Sequence, residues 1–382
     1  MVNNKGLTLT ILAILHFFVD FICVSMMVLA CQDVSSLGNT SLIAIILYNC
    51  FAFLTQPIFG FLVDKIPEEL RENIYKALIA ISFVIIYWGL LVFYSFPRMF
   101  DNNDVGFEIR PFFCAVILGI GNAIFHAVGG KISLLMSNKA TTGGIFVSTG
   151  AIGVAAAGYY NLVGFLTVGQ YEKFYLITAI PILFVVAFAF IKFKTSNLKY
   201  NEDSKKGSVS LLFVLVLCIA IFIRSFLGTY AKISYSPYGW EFLLYLGIAA
   251  CLGKALGGVI LDLLGPNPLI GISTGIAILF SILLVNPSEG QILNDYNGLA
   301  FTFGFNLLMP LSLDWLRKKF PNKEGFAFGL AAALLVPGYF LGNALKGHGL
   351  QNVIIPIVCL LTGAMLVFIN VYKNRKQNEG RN

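Results

Sequence analysis

The sequence between positions 119 and 131 reads Gly119-Ile-Gly-Asn-Ala-Ile-Phe-His-Ala-Val-Gly-Gly-Lys131, inside an apolar run from Pro111 to about Met136. A run of this length can cross the hydrocarbon core of a bilayer as a helix. His126 then lies near the middle of the bilayer, where an ionisable side chain is costly and usually functional. The glycines let a neighbouring helix or a ligand approach the backbone closely. We therefore expect the rest of the chain to build a water-filled path past this helix.

The composition of the whole chain indicates a membrane protein. Of the 382 residues, 58% are hydrophobic and 12% are charged, whereas soluble globular chains are about 45–50% apolar and about 25% charged. The apolar surplus needs lipid to cover it. The net charge of +7 comes from basic residues concentrated in particular loops, so it predicts topology rather than nucleic-acid binding.

Several classes of site are not supported by the sequence. The seven cysteines are odd in number and show no Cys-x-x-Cys spacing, so neither a disulfide framework nor a zinc site is expected. No phosphate-binding Gly-x4-Gly-Lys-Ser/Thr loop is present, so ATP-driven transport by this chain is not expected. The first apolar run is long enough to span and lacks an Ala-x-Ala end, so a cleavable signal peptide is not expected either.

The hydrophobic pattern predicts an all-α polytopic membrane protein with twelve transmembrane helices. The predicted spans are 7–31, 40–63, 76–98, 111–136, 143–168, 172–193, 209–230, 239–264, 267–286, 296–316, 324–345 and 351–372. The longest polar interruption follows the sixth span. We therefore expect an N-terminal six-helix bundle over 1–193, a linker over 194–208, and a C-terminal six-helix bundle over 209–382.

The basic residues predict the orientation of the chain. With the N-terminus inside the cell, 18 of the 26 Lys and Arg residues fall in cytoplasmic segments and five fall outside, while Lys131, Arg224 and Lys254 lie within spans. Basic residues are enriched in cytoplasmic loops. We therefore expect a plasma-membrane protein with both termini and the linker in the cytoplasm.

The two halves of the chain also repeat in sequence. The second span ends Gly60-Phe-Leu-Val-Asp64, and the eighth ends Gly258-Val-Ile-Leu-Asp262. Asn122 lies four residues before His126 in the fourth span, and Asn306 lies four residues before Pro310 in the tenth. Matches in register and in the same orientation predict two parallel six-helix repeats, related by an axis along the membrane normal.

These residues resemble the major facilitator superfamily over essentially the whole chain. The stretch Gly60-x-x-x-Asp64-Lys65 is similar to the superfamily's signature between helices 2 and 3. The resemblance implies the major facilitator fold, which moves small molecules by alternating access.

Three stretches also resemble the fosmidomycin-resistance family of bacterial exporters: His16-Phe-Phe-Val-Asp20, Gln56-Pro-Ile-Phe-Gly-Phe-Leu-Val-Asp-Lys65 and Gly119-Ile-Gly-Asn-Ala-Ile-Phe-His126. That family usually continues the last stretch with Pro and an acidic residue, where this chain has Ala127 and Val128. The resemblance implies an antiporter for drug efflux.

Asp20 and His16 are the candidate proton-coupling residues. Asp20 lies about 20 Å along the first helix, slightly past the membrane midplane. An ionised carboxylate at that depth must be paired or protonated. His16 lies one helical turn away, so the two side chains can share a proton. The alternatives are a permanently paired structural carboxylate and a core imidazole bonded to a carbonyl.

His126, Asn122, Arg224 and Asn306 are the candidate cavity residues. Aligning the first span with the seventh places Arg224 one position from Asp20 in the repeat. A guanidinium matches the two oxygens of a carboxylate or of an anionic ligand. We expect Arg224 to pair with Asp20 in one conformational state. The alternative is an arginine that reaches the outer interface.

A third group of residues is expected to form or support a gate at the cytoplasmic side. Asp64 and Asp262 should accept hydrogen bonds from the N-termini of neighbouring helices. The residues assigned to this gate and its support are Gly60, Asp64, Lys65, Lys131, Lys254, Gly258 and Asp262.

The sequence therefore predicts a proton-coupled secondary carrier that exports a small anionic or amphiphilic compound. An importer of a small organic anion or nutrient is the alternative, because the fold does not fix direction or cargo. The resemblance favours a carrier over an intramembrane enzyme with a metal ion held by His16, Asp20 and His126, and over a channel or receptor. We expect no enzyme activity and no cofactor beyond the proton gradient. The expected partners are the substrate, protons and lipid, with no nucleic acid and a monomeric state.

The basic-residue asymmetry predicts that Ser208, at the end of the linker, lies in the cytoplasm. A single Ser208→Cys substitution in a variant without native cysteines should react with a membrane-impermeant thiol reagent only after permeabilisation. Reaction in intact cells would reverse the orientation.

Overall fold

The computed structural model describes residues 4–33, 40–95, 110–164, 171–193, 211–231, 239–283, 291–345 and 351–379. Regular structure within these ranges is entirely helical, without a strand. The predicted all-α class is therefore confirmed. The predicted linker over 194–208 lies outside the described residues.

Within the described residues, the N-terminal half contains seven α-helices and the C-terminal half contains eight. The N-terminal helices are α1 (Lys5–Asp33), α2 (Thr40–Asn49), α3 (Gln56–Asp64), α4 (Arg71–Ser95), α5 (Arg110–Leu135), α6 (Ala140–Leu162) and α7 (Tyr171–Phe190). The C-terminal helices are α8 (Leu211–Tyr230), α9 (Glu241–Leu264), α10 (Pro266–Leu283), α11 (Gln291–Asn306), α12 (Met309–Lys319), α13 (Glu324–Ala333), α14 (Leu335–Leu345) and α15 (Gln351–Glu379).

Three predicted spans consist of two consecutive helices, and each break lies near a proline. Pro310 and Pro337 have no N–H to donate to the carbonyls of Asn306 and Ala333, which are the last residues of α11 and α13. Pro57 cannot donate to Phe53, which lies in a short π-helical segment between α2 and α3. Each proline therefore interrupts a transmembrane helix without ending the span.

The described helices account for the predicted number of membrane crossings. Eleven of the spans are long and apolar enough to cross a membrane, and the sixth contributes a shorter apolar helix, Leu176–Phe190. Span α6 begins at Ala140, three residues before the predicted start at 143. Asp262, in the other half, accepts hydrogen bonds from the first N–H groups of this helix. The sequence around Ala140 does not indicate this contact.

Two pairs of helices make the most extensive contacts between the two halves. Helix α6 packs along α9, and α3 packs against α13. Within the N-terminal half, α1 lies against α5 and α6. Every residue from 121 to 136 on and just after α5 is buried. The helix that carries His126 therefore lies in the interior of the N-terminal half.

Glycines permit the closest approach between the halves. A Cβ on Gly60 would overlap the main chain of Gly325, and a Cβ on Gly258 would overlap that of Thr141. Both contacts lie near one end of the bundle. We call this the clamped end and define it by Asp64, Asp262 and Arg317, whose contacts follow below.

We expect Gly60→Ala to lower the apparent melting temperature of the purified protein, because the new methyl group has no space against Gly325. Overpacking of this kind costs roughly 1–3 kcal/mol. Gly271→Ala is the matched control, since no atom lies within 4 Å of a Cβ there and alanine favours the helix. Equal melting temperatures for the two variants would contradict this account of the interface.

Candidate functional site

Three of the predicted polar residues meet in the interior of the N-terminal half. His16 and Asp20 lie one turn apart on α1, and His126 faces them from α5. His126 Nε2 lies 2.8 Å from His16 Nε2. The Asp20 carboxylate lies 3.2 Å from the Nε2 atom of His16 and 3.6 Å from that of His126. We call these three residues the triad.

Backbone carbonyls set the orientation of both imidazole rings. His16 Nδ1 lies 2.6 Å from the carbonyl oxygen of Phe146, and His126 Nδ1 lies 2.9 Å from that of Asn122. A carbonyl can only accept, so the hydrogen-bond network assigns the proton of each neutral ring to Nδ1. Both Nε2 atoms would then be acceptors facing each other at 2.8 Å. This contact is attractive only if one further proton lies between the rings.

The same three side chains are also of the types that can coordinate a metal ion. In the part of the chain that the structure describes, they are the one group of His, Cys, Asp or Glu with ligand atoms all within 4.8 Å of one another. Zn–N bonds of 2.0–2.1 Å at the tetrahedral angle would separate two histidine nitrogens by about 3.3 Å. Nitrogens 2.8 Å apart are instead at hydrogen-bonding distance, so the observed spacing suits a shared proton better than a tetrahedral metal ion.

Residues on α2, α5 and α6 hold the triad in place. Asn122 Nδ2 donates to Asp20 Oδ1 and to Tyr48 Oη, each at 3.3 Å. The Phe146 ring stacks on His16 with centroids 4.6 Å apart. A Cβ on Gly150 would overlap both Asp20 and His16.

The sequence alone did not point to Tyr48, Phe146 or Gly150 as part of the site. The available signal was the spacing of Phe146 and Gly150, which lie one turn apart and so share one face of a helix. That spacing does not reveal which helix this face contacts.

Asp20 is the most exposed member of the triad. Its side chain is 13% exposed, compared with 5% and 7% for the side chains of His16 and His126. The carboxylate is thus the most accessible part of the triad.

The predicted pair between Arg224 and Asp20 is not formed in this structure. Asp20 is occupied by the two histidines and Asn122 within its own half. Arg224 lines a small cavity of the C-terminal half, beside Leu227 and Phe305. The repeat alignment gave the two residues similar depths but contained no information on which way the side chains point.

Two further candidates in the C-terminal half are Asn306 and Lys254. Asn306 donates its amide to the carbonyl of Thr302, one turn earlier on α11, at 2.8 Å. It packs against Gly253 and does not line the cavity beside Arg224. Lys254, assigned to the gate, lies within electrostatic range of Asp20 and Arg224. This places the Lys254 charge near the triad rather than at the clamped end.

The clamped end joins the halves through two aspartates. Asp64, at the end of α3, accepts hydrogen bonds from the N–H groups of Gly325 and Phe326 at 2.9 and 2.8 Å. Lys131 Nζ lies 2.8 Å from the same carboxylate. Each aspartate binds the N-terminus of a helix in the other half, where the helix dipole favours negative charge. The contacts of Asp64 therefore link α3, α5 and the start of α13.

Asp262 makes the corresponding contacts at the end of α9. It accepts hydrogen bonds from Ala140 N, Thr141 N and Thr141 Oγ1 at 2.8, 2.9 and 2.5 Å. Among the described residues Asp262 has no ion-pair partner, in contrast to Asp64. Lys65, also assigned to this region, is exposed and lies over the Phe61 ring at 4.3 Å.

Arg317 is a third link at the clamped end that the sequence did not identify. Its position after the tenth span assigned it to loop charge, yet it is only 2% exposed. Its guanidinium donates to the carbonyls of Leu134, Ser137 and Asn138, at 3.1, 2.7 and 2.8 Å. It also pairs with Asp314 at 2.6 Å. The spacing of Asp314 and Arg317 was the available signal, because residues three apart face each other on a helix.

Comparison with known proteins gives a consistent picture. Residues 9–343 match the family model described as Major Facilitator Superfamily. No curated protein sequence matches this chain.

Several solved transporters share the fold. The Escherichia coli fucose:proton symporter FucP is 11% identical with a TM-score of 0.64, and the alignment covers 96% of this chain and 98% of that one. The proton:xylose symporter XylE, bound to 6-bromo-6-deoxy-D-glucose, is 14% identical with a TM-score of 0.60, covering 97% and 96%. The human organic anion transporter MFSD10 (TETRAN) is 12% identical with a TM-score of 0.61, covering 95% and 99%.

We expect Asp64→Asn to open the clamped end, because it removes the carboxylate that pairs with the buried Lys131 ammonium. Breaking a buried ion pair in this way costs roughly 3–5 kcal/mol. Ser133 is fully buried near this end, so thiol labelling of Ser133→Cys, without native cysteines, reports opening. The labelling rate should rise at least about tenfold, which corresponds to about 1.4 kcal/mol.

Asp262→Asn is the matched control for this experiment. It keeps a carbonyl acceptor for Ala140 and Thr141 and leaves no lysine unpaired, so labelling should rise less. Equal rates in both variants, or no change in Asp64→Asn, would show that the pair with Lys131 does not hold this end closed.

Proposed function

Because this chain belongs to the Major Facilitator Superfamily and is a multi-pass secondary transporter rather than an enzyme, we propose that it couples transport to protons through the triad. The observation that carries this proposal is the 2.8 Å contact between His16 Nε2 and His126 Nε2. The contact requires one shared proton, whose charge the adjacent Asp20 carboxylate balances. A group of this kind binds or releases a proton in response to small changes in its surroundings.

The charge nearest to the triad from the other half provides a means of coupling. Lys254 on α9 lies within electrostatic range of Asp20 and His126. A cation that approaches or recedes as the halves move changes the proton affinity of the triad. The other titratable neighbours, Cys23 and Tyr48, belong to the N-terminal half. Alternating access would thus favour proton binding in one state and release in the other.

We propose efflux of a small compound as the direction of transport, by antiport with protons, in the manner of a drug-resistance carrier. The support for this direction is the resemblance of three stretches to an exporter family. Import of a small organic anion or nutrient by the same coupling is the alternative. The basic-residue asymmetry supports a plasma-membrane protein with cytoplasmic termini, and a monomer is sufficient for alternating access.

Drug-susceptibility profiling with and without the gene identifies a transported compound and distinguishes the two directions. An exported compound becomes less toxic when the protein is expressed, whereas an imported one becomes more toxic or supports growth. Flux into inside-out and right-side-out vesicles then confirms the direction. Saturable, proton-dependent flux would also distinguish a carrier from a channel or receptor.

We expect Asp20→Asn to abolish transport driven by a pH gradient while it retains substrate exchange, because an amide mimics the protonated acid. His16→Gln should shift the pH optimum more than it lowers the maximum rate, since the shared proton loses one of its two nitrogens. The measurement is uptake of the identified compound into proteoliposomes at a series of pH values.

Glu72→Gln is the control for loss of a carboxylate outside the site. Glu72 forms a partly exposed pair with Lys76 on α4, so its replacement should leave the pH profile unchanged. Wild-type pH dependence in Asp20→Asn would mean that the carboxylate is structural and that the coupling proposal is wrong.

A further inference from the structure

Two adjacent glycines of α5, Gly129 and Gly130, lie against two phenyl rings. A Cβ on Gly129 would overlap the ring of Phe146, and a Cβ on Gly130 would overlap the ring of Phe328. Phe146 belongs to α6 of the same half, whereas Phe328 belongs to α13 of the C-terminal half. Both residues are buried, with exposures of 0% and 4%. The close approach that these glycines permit is therefore an approach of aromatic rings, and one ring comes from the other half.

The ring of Phe146 connects Phe328 to the triad. Its centroid lies 5.7 Å from that of Phe328, at an interplanar angle of 61°. It also lies 4.6 Å from the centroid of His16, in a stacked arrangement. Aromatic contacts at these distances are attractive. The main-chain carbonyl of the same Phe146 lies 2.6 Å from His16 Nδ1. A side chain of the C-terminal half thus contacts the residue that both stacks on His16 and orients it.

The position of Phe328 depends on closure of the clamped end. Asp64 of the N-terminal half accepts hydrogen bonds from the N–H groups of Gly325 and Phe326. These groups lie in the first turn of α13, and Phe328 follows two residues later. The contacts that close this end therefore also hold the Phe328 ring over Gly130. Separation of the halves at this end would withdraw the ring.

We propose that Phe328 is a positioning residue for the triad. Seated on Gly130, it holds the Phe146 ring against His16 and so keeps the imidazole directed at the Phe146 carbonyl. When the clamped end opens, the ring leaves with α13, and His16 loses the packing that fixes its orientation. The state of the clamped end is thereby transmitted to the triad by packing. This inference rests on the proposed proton coupling, because it concerns the regulation of the same site.

Replacement of Phe328 tests packing separately from electrostatics, because this side chain carries no charge. Its loss removes none of the charged and titratable groups that surround His16. Among the described residues, these groups include Asp20 and Cys23 on α1, Tyr48 on α2, His126 on α5 and Lys254 on α9. A change at His16 in a Phe328 variant would therefore follow from the lost aromatic contact.

The test is nitrogen NMR of the purified full-length protein in detergent, isotope-labelled only at histidine. The chain has 3 histidines, and the variants His16→Gln and His126→Gln assign the signals. Nitrogen shifts distinguish a protonated from an unprotonated ring nitrogen, so they measure the fraction of His16 rings without a proton on Nδ1. That fraction should be small in the wild type, because the Phe146 carbonyl can only accept.

Phe328→Ala should raise this fraction about threefold or more, as expected from the loss of one aromatic contact. Phe328→Leu keeps an apolar side chain over Gly130, so it should give a smaller rise and tests the same contact if the alanine variant does not fold. Gly130→Ala should act as Phe328→Ala does, because the added methyl group displaces the ring. Asp64→Asn should give the same change once labelling of Ser133→Cys shows that the clamped end is open.

Phe326→Leu is the matched control. Phe326 lies two positions before Phe328 on α13, and its ring packs against Phe320 of the same half with centroids 5.3 Å apart. Its replacement removes a ring from the same helix and should leave the His16 signals unchanged. Wild-type His16 signals in the folded Phe328 and Gly130 variants would overturn the proposal. An equal change in Phe326→Leu and Phe328→Leu would also overturn it, since the effect would then be general loosening of α13.

The pH dependence of flux distinguishes this inference from the proposed function. If Phe328→Leu changes the His16 signals and shifts the pH optimum of flux as His16→Gln does, both are supported. If it changes the signals while both variants keep the wild-type pH profile of flux, the positioning role stands and the proposed coupling through the triad fails.

Discussion

The arrangement of the N-terminal half depends on one contact between two imidazole nitrogens 2.8 Å apart. Both rings donate Nδ1 protons to main-chain carbonyls, so the two Nε2 atoms can only attract each other through an additional proton. In the membrane interior that positive charge needs a nearby counter-charge, and Asp20 supplies it. Asn122 orients the carboxylate, and Gly150 leaves room for the close approach of α6. Helices α1, α5 and α6 are thereby held together around the triad.

Charged groups are balanced differently at the clamped end and around Arg224. At the clamped end, Asp64 and Asp262 each accept two main-chain N–H groups from a helix of the other half. Separation of the halves at this end would break these contacts, and we propose that they form part of a switch between two states. Among the described residues, the Nε and Nη2 atoms of Arg224 have no hydrogen-bond partner. The fold thus combines a closed ionic network in one region with an unbalanced cation in another.

The relation between the triad and Lys254 connects these regions. Lys254 belongs to α9, which packs along α6, and α6 supplies the carbonyl that orients His16. A relative movement of α6 and α9 would change the distance of a positive charge from Asp20. We propose that this change alters the proton affinity of the triad as the halves alternate.

Much of the protein was determined by its sequence alone. Twelve apolar runs predicted the membrane class and the helical fold, because a bilayer accepts backbone only when its hydrogen bonds are satisfied within helices. The one-turn spacings predicted that His16 lies beside Asp20 and that Asn122 lies beside His126. Only the tertiary structure decided which helix faces contact one another. It brought the two histidines together, placed Arg224 away from Asp20, and buried Arg317 against the end of α5. These outcomes depend on helix rotation and on packing between residues more than 100 positions apart, and local sequence patterns do not encode either.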